Sequence, residues 1–184
     1  DLEIDTDSNS IQNFTWKSIP ITAEHCPRDT ALEEILGRYK SVAEEKYARV
    51  VTRLKRQLTH PSWYQETELG GFLADILQES LRLDMMLVGS GSIRVTELGP
   101  IVLFSNLTEC IPYDDAAIAL WVKGAQLKKM ILYMLRDEVW DGSHCEFFQF
   151  SGGMRVVYDK SNHKLKEFSL HGAPIEEEKV YKIG

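Results

Sequence analysis

Apolar residues change their spacing along this chain, and the changes mark its elements. Residues 2–21 read as a hairpin. Leu2 and Ile4 lead into the turn-rich Asp5-Thr6-Asp7-Ser8-Asn9-Ser10, and Ile11, Phe14, Trp16 and Ile19 follow. A hairpin alone is only marginally stable, so this one is expected to lean on another element. From residue 30 the spacing becomes helical. Leu32, Ile35, Leu36, Tyr39, Val42, Ala43 and Tyr47 form one stripe, opposite a charged face. Thr30 and Glu33 have capping-box spacing, and Asp29 and Glu34 suit the positive end of a helix. The pattern predicts a connecting helix over 30–47, packed along one side.

A strand is predicted over 50–58. The loop Thr59-His60-Pro61-Ser62-Trp63-Tyr64 then leads to a second helix over 68–83, with Leu69, Phe72, Leu73, Ile76, Leu77 and Leu81 inward. Residues 85–88 read as a short buried strand and 116–122 as another. A third helix is predicted over 126–139, with Leu127, Met130, Ile131, Met134 and Leu135 inward. The last third alternates or runs apolar over 147–150, 154–158, 165–170 and 179–183, between Gly, Asn and Pro breaks. That is the pattern of an antiparallel meander. Helices early and strands late predict an α+β fold: a mixed sheet covered by helices, with an N-terminal hairpin and a connecting helix.

Composition narrows the partners. The chain has 184 residues, 43% hydrophobic and 27% charged, enough for a domain with a real core plus an appendage. Its net charge of −7 argues against a nucleic-acid polymer as ligand. The densest basic run, Arg49, Arg53, Lys55 and Arg56, reads as the wet face of a strand. No apolar run approaches the roughly 18 residues of a membrane span. The chain opens strand-like at Asp1 without an initiator Met and stops strand-like at 180–184, which suggests a piece of a larger protein. Cys26, Cys110 and Cys145 show no ligand spacing and read as small buried hydrophobes; their odd number leans toward a reducing compartment, such as the cytoplasm.

Two loops carry candidate chemistry. The first is Gly89-Ser90-Gly91-Ser92-Ile93-Arg94. Glycines admit a ligand close to the backbone, backbone amides and hydroxyls can donate to an anion, and Arg94 offers a planar fork. In isolation the same residues also read as a tight turn with a surface arginine. The second is Pro112-Tyr113-Asp114-Asp115, where Tyr113 can stack on a flat ligand beside a carboxylate. In isolation it reads as a turn capping a strand. The five histidines, His25, His60, His144, His163 and His171, show no metal spacing and read as exposed loop residues. No complete catalytic constellation is present, so no catalytic residue is assigned.

Four ordered stretches resemble the C-terminal domain of the 5'-nucleotidase family, the two-domain metallophosphoesterases. They are Gln65-Glu66-Thr67-Glu68-Leu69-Gly70-Gly71-Phe72-Leu73-Ala74-Asp75; the loop from Gly89 to Arg94; Glu109-Cys110-Ile111-Pro112-Tyr113 through Lys123-Gly124-Ala125-Gln126-Leu127-Lys128; and Phe148-Gln149-Phe150-Ser151-Gly152-Gly153-Met154-Arg155-Val156-Val157-Tyr158-Asp159. The resemblance implies that 50–184 is that domain, incomplete at its C-terminus. It makes 1–21 the tail of the metallophosphoesterase domain and 22–49 the connecting helix. It implies two divalent metal ions in the N-terminal domain, activating water for attack on phosphorus, and none in this stretch. The implied partners are that domain and a nucleotide or other phosphate-ester substrate, with a homodimer kept open. The substrate would be held by Arg94 and Tyr113 over Gly89, Ser90, Gly91 and Ser92, with Asp114 alongside. A second stacking ring is implied beyond residue 184.

The departures leave the substrate open. The asparagine heading the family's glycine loop is Gly89 here, and two of its glycines are Ser90 and Ser92. The stacking phenylalanine is Tyr113. An arginine before the first helix is matched by Trp63 or Tyr64. A sugar nucleotide, a cyclic nucleotide or another ester also fits, and so does a non-catalytic binding or dimerisation module. Family members are often secreted or held in the cell envelope, against the lean toward a reducing compartment.

Overall fold

The computed structural model describes residues 1–140 and 145–184, which divide into two units, Asp1–Glu45 and Lys46–Gly184. In the first unit β1 (Leu2–Asp5) pairs antiparallel with β2 (Ser10–Phe14). Asp5 sets the turn: its Oδ1 accepts the N–H groups of Asp7 at 2.9 Å and Ser8 at 3.3 Å. Helix α1 (Thr30–Tyr47) runs over the predicted span. Its cap is Asp29 instead of Thr30, with Asp29 Oδ1 accepting from Leu32 N–H at 3.0 Å. The packed stripe is corrected. Leu32, Ile35, Leu36, Tyr39 and Val42 are all more than half exposed, and α1 has no buried residue. Periodicity states which face a helix can bury; burial itself needs a partner.

In the second unit the predicted strand over 50–58 breaks in two. β3 (Val50–Arg53) and β4 (Leu58–Thr59) pair antiparallel with β7 (Ile101–Leu103) and β6 (Glu97–Leu98) respectively. Helix α2 (Glu68–Leu81) starts at Thr67, whose hydroxyl accepts from Gly70 N–H at 3.1 Å. It stops where Arg82 turns left-handed, at φ 52°. Leu69 and Ala74 are buried, Leu73 and Leu77 partly so, but Ile76 and Leu81 are exposed and leave the predicted inner face. β5 (Leu87–Gly89) lies later than the predicted 85–88. The stretch 97–110, unassigned from sequence, supplies β6, β7 and α3 (Phe104–Cys110). Asn106 Oδ1 closes the start of α3 on Leu103 N–H at 2.9 Å.

β8 (Leu120–Lys123) is shorter than the predicted 116–122 run. Helix α4 (Gly124–Met134) ends before the predicted 139, and a single 3-10 turn, Asp137–Val139, follows. Leu127, Ile131 and Leu135 are buried as the pattern requires. The predicted four-strand meander is also corrected. β10 (Met154–Asp159), β11 (Lys164–Leu170) and β12 (Ala173–Pro174) form one, but β9 (Phe148–Phe150) pairs with β5 and β13 (Val180–Ile183) with β8. Strand patterning gives a face and no partner. A parallel bridge between Met85 and Ile183 joins these last two ladders. It is carried on by Asp84 N–H to Lys182 O at 2.8 Å and Leu87 N–H to Gly184 O at 2.9 Å. The sheet is therefore mixed, and the fold is α+β.

One core cluster centres on Met85, Leu127, Ile131, Tyr181 and Ile183; another holds Leu69, Ile93, Leu98, Val102 and Cys110. Of the cysteines only Cys110 is buried, and burial pushes its thiol up to about 11. Cys26 is exposed and Cys145 half-buried, correcting the expectation for those two. Among the described residues no helix is long and apolar enough to cross a membrane.

Candidate substrate cleft

Ser90, Gly91 and Ser92 form a 3-10 turn after β5. Its position is set from below by a buried polar cluster. Gln149 of β9 is fully buried; its Nε2 donates to Ser90 Oγ and to Gln65 O, both at 2.8 Å. Its Oε1 accepts from Thr67 N–H at 2.9 Å. Gly70 is required here, because a Cβ would overlap the Gln149 carboxamide. His60 joins the same cluster, with Nε2 at 3.2 Å from Ser90 O and Nδ1 at 2.7 Å from Thr67 Oγ1. The carbonyl partner assigns the proton to Nε2, so Nδ1 accepts from the Thr67 hydroxyl. Burial pushes the His60 pKa below its ordinary 6.5, which keeps the ring neutral at pH 7. His60 is thus a buried structural residue, which corrects its reading as an exposed loop histidine. His25, His163 and His171 are exposed, and His144 lies outside the described residues.

Above this floor opens a cleft of about 510 Å³. Trp63, Tyr64, Tyr113, Asp115 and Glu146 line it, together with Gly91, Ser92 and Arg94 of the loop after β5. Arg94 is held at both ends: its N–H donates to Cys110 O at 2.8 Å, and its Nη1 to Gly91 O at 3.2 Å. The guanidinium lies 5.4 Å from the Trp63 ring centroid, a cation–π arrangement. Tyr113 is half-exposed. Glu146 Oε1 accepts from Gly91 N–H at 2.7 Å.

Arg94, Tyr113, Gly91 and Ser92 therefore come together. Ser90 lies beneath the cleft as part of its floor, and Gly89 ends β5 below Glu146. Asp114 does not line the cleft; its neighbour Asp115 does. Sequence reasoning missed Glu146, His60 and the structural role of Gln149. For Thr67 a signal existed: a threonine directly before an acidic residue and an apolar-periodic run is a preferred helix N-cap. For Glu146 none did. Among the described residues no group of three or more His, Cys, Asp or Glu side chains is placed to hold a metal ion.

The α+β unit thus brings an arginine and aromatic rings to one cleft. The chain belongs to the 5'-nucleotidase, C-terminal domain family, which matches residues 46–184. It is similar to an uncharacterized metallophosphoesterase, YunD, of Bacillus subtilis strain 168, at 25% identity over 199 residues, covering 100% of this chain and 42% of that protein. Its fold matches a 5'-nucleotidase precursor from Thermus thermophilus, with TM-score 0.68 and 17% identity over 99% of this chain and 38% of that one. It also matches the sulfate thiohydrolase SoxB of the same organism in complex with glycerol, with TM-score 0.66 and 14% identity over 95% and 34% of the two chains. The chain thus spans less than half the length of each.

Proposed function

We propose that this chain is the substrate-recognition part of a two-domain phosphohydrolase of the 5'-nucleotidase type, acting on a nucleotide or a related phosphate ester. The observation that carries the reading is the meeting of Arg94 and Tyr113, from loops remote in sequence, in one cleft. Tyr113 stacks on the flat part of the substrate, Arg94 supplies a fixed positive fork, and the turn at Ser90 to Ser92 allows close approach. Stacking of one base on one ring is worth roughly 1–3 kcal/mol. Residues 1–21 are read as the end of a metal-bearing domain and 22–49 as the connection to it. The chemistry on phosphorus belongs to that domain and its two divalent ions. The side chains described here do not fit such ions, so no step through a metal is assigned to them, and the chain alone is read as inert.

In the full-length protein, Tyr113→Ala and Arg94→Ala should raise KM about tenfold while kcat changes far less, because both residues act in binding. If both variants keep the wild-type KM for every phosphate ester tested, the cleft is not the substrate site. The second reading, a non-catalytic binding or dimerisation module, then takes over. It draws on the Arg94 guanidinium being already engaged by Gly91 O and Trp63.

A further inference from the structure

A loop of small residues with free amides is an anion site. In this chain it is not free. The Glu146 carboxylate lies across it, 2.7 Å from Gly91 N. The fit is specific: a Cβ at Gly89 would come within 2.9 Å of Glu146 Oε1, and one at Gly91 within 3.1 Å of Oε2. The backbone beside Glu146 is pinned as well, since Ser90 N–H donates to Phe147 O at 2.8 Å and Gly89 pairs with Phe148. Charge points the same way. Among the described residues lining the cleft, Arg94 is the one Lys or Arg, and two carboxylates, Asp115 and Glu146, line it as well. A phosphate on this loop would meet a like charge in contact with it.

We infer that Glu146 is a specificity residue: it closes the glycine loop to phosphate and makes it an acceptor for hydroxyl or amino groups of the ligand. An ionised carboxylate only accepts, and the Gly91 amide uses just part of its capacity. Glu146 is exposed at the cleft, so its remaining lone pairs are open to donors on a ligand that displaces water. With the ring faces of Trp63 and Tyr113 nearby, the matching ligand is flat and rich in hydroxyl or amino groups. The inference rests on the proposed function.

The test is an NMR titration of the whole chain with two probes, adenosine and inorganic phosphate, read at the Gly91 amide. In the wild type, adenosine should bind saturably with a dissociation constant of about millimolar order, and phosphate should leave the Gly91 amide unmoved. Glu146→Gln, isosteric and still able to accept from Gly91, should weaken adenosine about tenfold and admit phosphate weakly. Glu146→Ala should admit phosphate fully, with a saturable Gly91 shift. A Gly91 amide that responds to phosphate in the wild type, or in neither variant, overturns the closure. An unchanged adenosine affinity in Glu146→Gln overturns the acceptor role. If the wild type ignores adenosine while the phosphate responses follow as stated, the nucleoside reading of the cleft fails and the closure by Glu146 stands.

Discussion

Gln149 sits at the junction of three segments, and its carboxamide joins them. It holds Gln65 O, Ser90 Oγ and Thr67 N–H at 2.8, 2.8 and 2.9 Å with no exposure to water. Without it the buried Ser90 hydroxyl is left in need of a bond, and Gln65 O and Thr67 N–H lose a part-buried hydrogen bond. Gln149→Leu, similar in volume, should therefore cost about 2–4 kcal/mol, seen as a lower midpoint in chemical denaturation. A midpoint within error of wild type would mean that water replaces the amide. Position 149 lies inside one of the motifs that carry the family resemblance. Its partners lie far along the chain, at 65, 67 and 90, so its role was not legible. Arg94 and Tyr113 were legible because their chemistry shows in their own loops. Glu146 was not, because an isolated glutamate looks like any solvated charge until the glycines beneath it are seen.

Long periodic elements were read from sequence almost to the residue, as in α1 and α2. The two-residue strands β4 and β6 and the seven-residue helix α3 show too little of any period to be found that way. The β10–β11 hairpin shows how a short connection is held. Asp159 accepts from Lys166 Nζ at 2.7 Å and from Asn162 Nδ2 at 2.9 Å, and the Lys166 bond leads in holding its carboxyl down to about 2 from its ordinary 3.8. A depressed carboxylate pKa stabilises the fold above pH 3.8, and the contribution is lost as pH falls through about 2. Amide-exchange protection of this hairpin should therefore drop between pH 4 and about 2. That step should be absent in Asp159→Asn; an equal drop in the variant would place its cause elsewhere.

Among the described residues the core clusters, including a third of Ala74, Leu83, Met86 and Val88, lie wholly within the second unit. A chain starting at residue 46 should accordingly melt in one cooperative transition, followed by near-ultraviolet circular dichroism. Loss of that transition would make the first 45 residues part of the fold. The 184-residue chain should release no phosphate from AMP or an aryl phosphate even with divalent metal added. Activity that survives repurification would contradict the assignment of chemistry to another domain. Patterning and ordered motifs sufficed for the α+β class, the family and the two loops that line one cleft, because those follow from spacing and residue type along one stretch of chain. The strand partners, the exposed stripe of α1, the neutral buried His60 and the carboxylate over the glycine loop required the folded molecule. Each depends on which distant groups meet, and burial, hydrogen bonding and charge act across space, where sequence distance has no bearing.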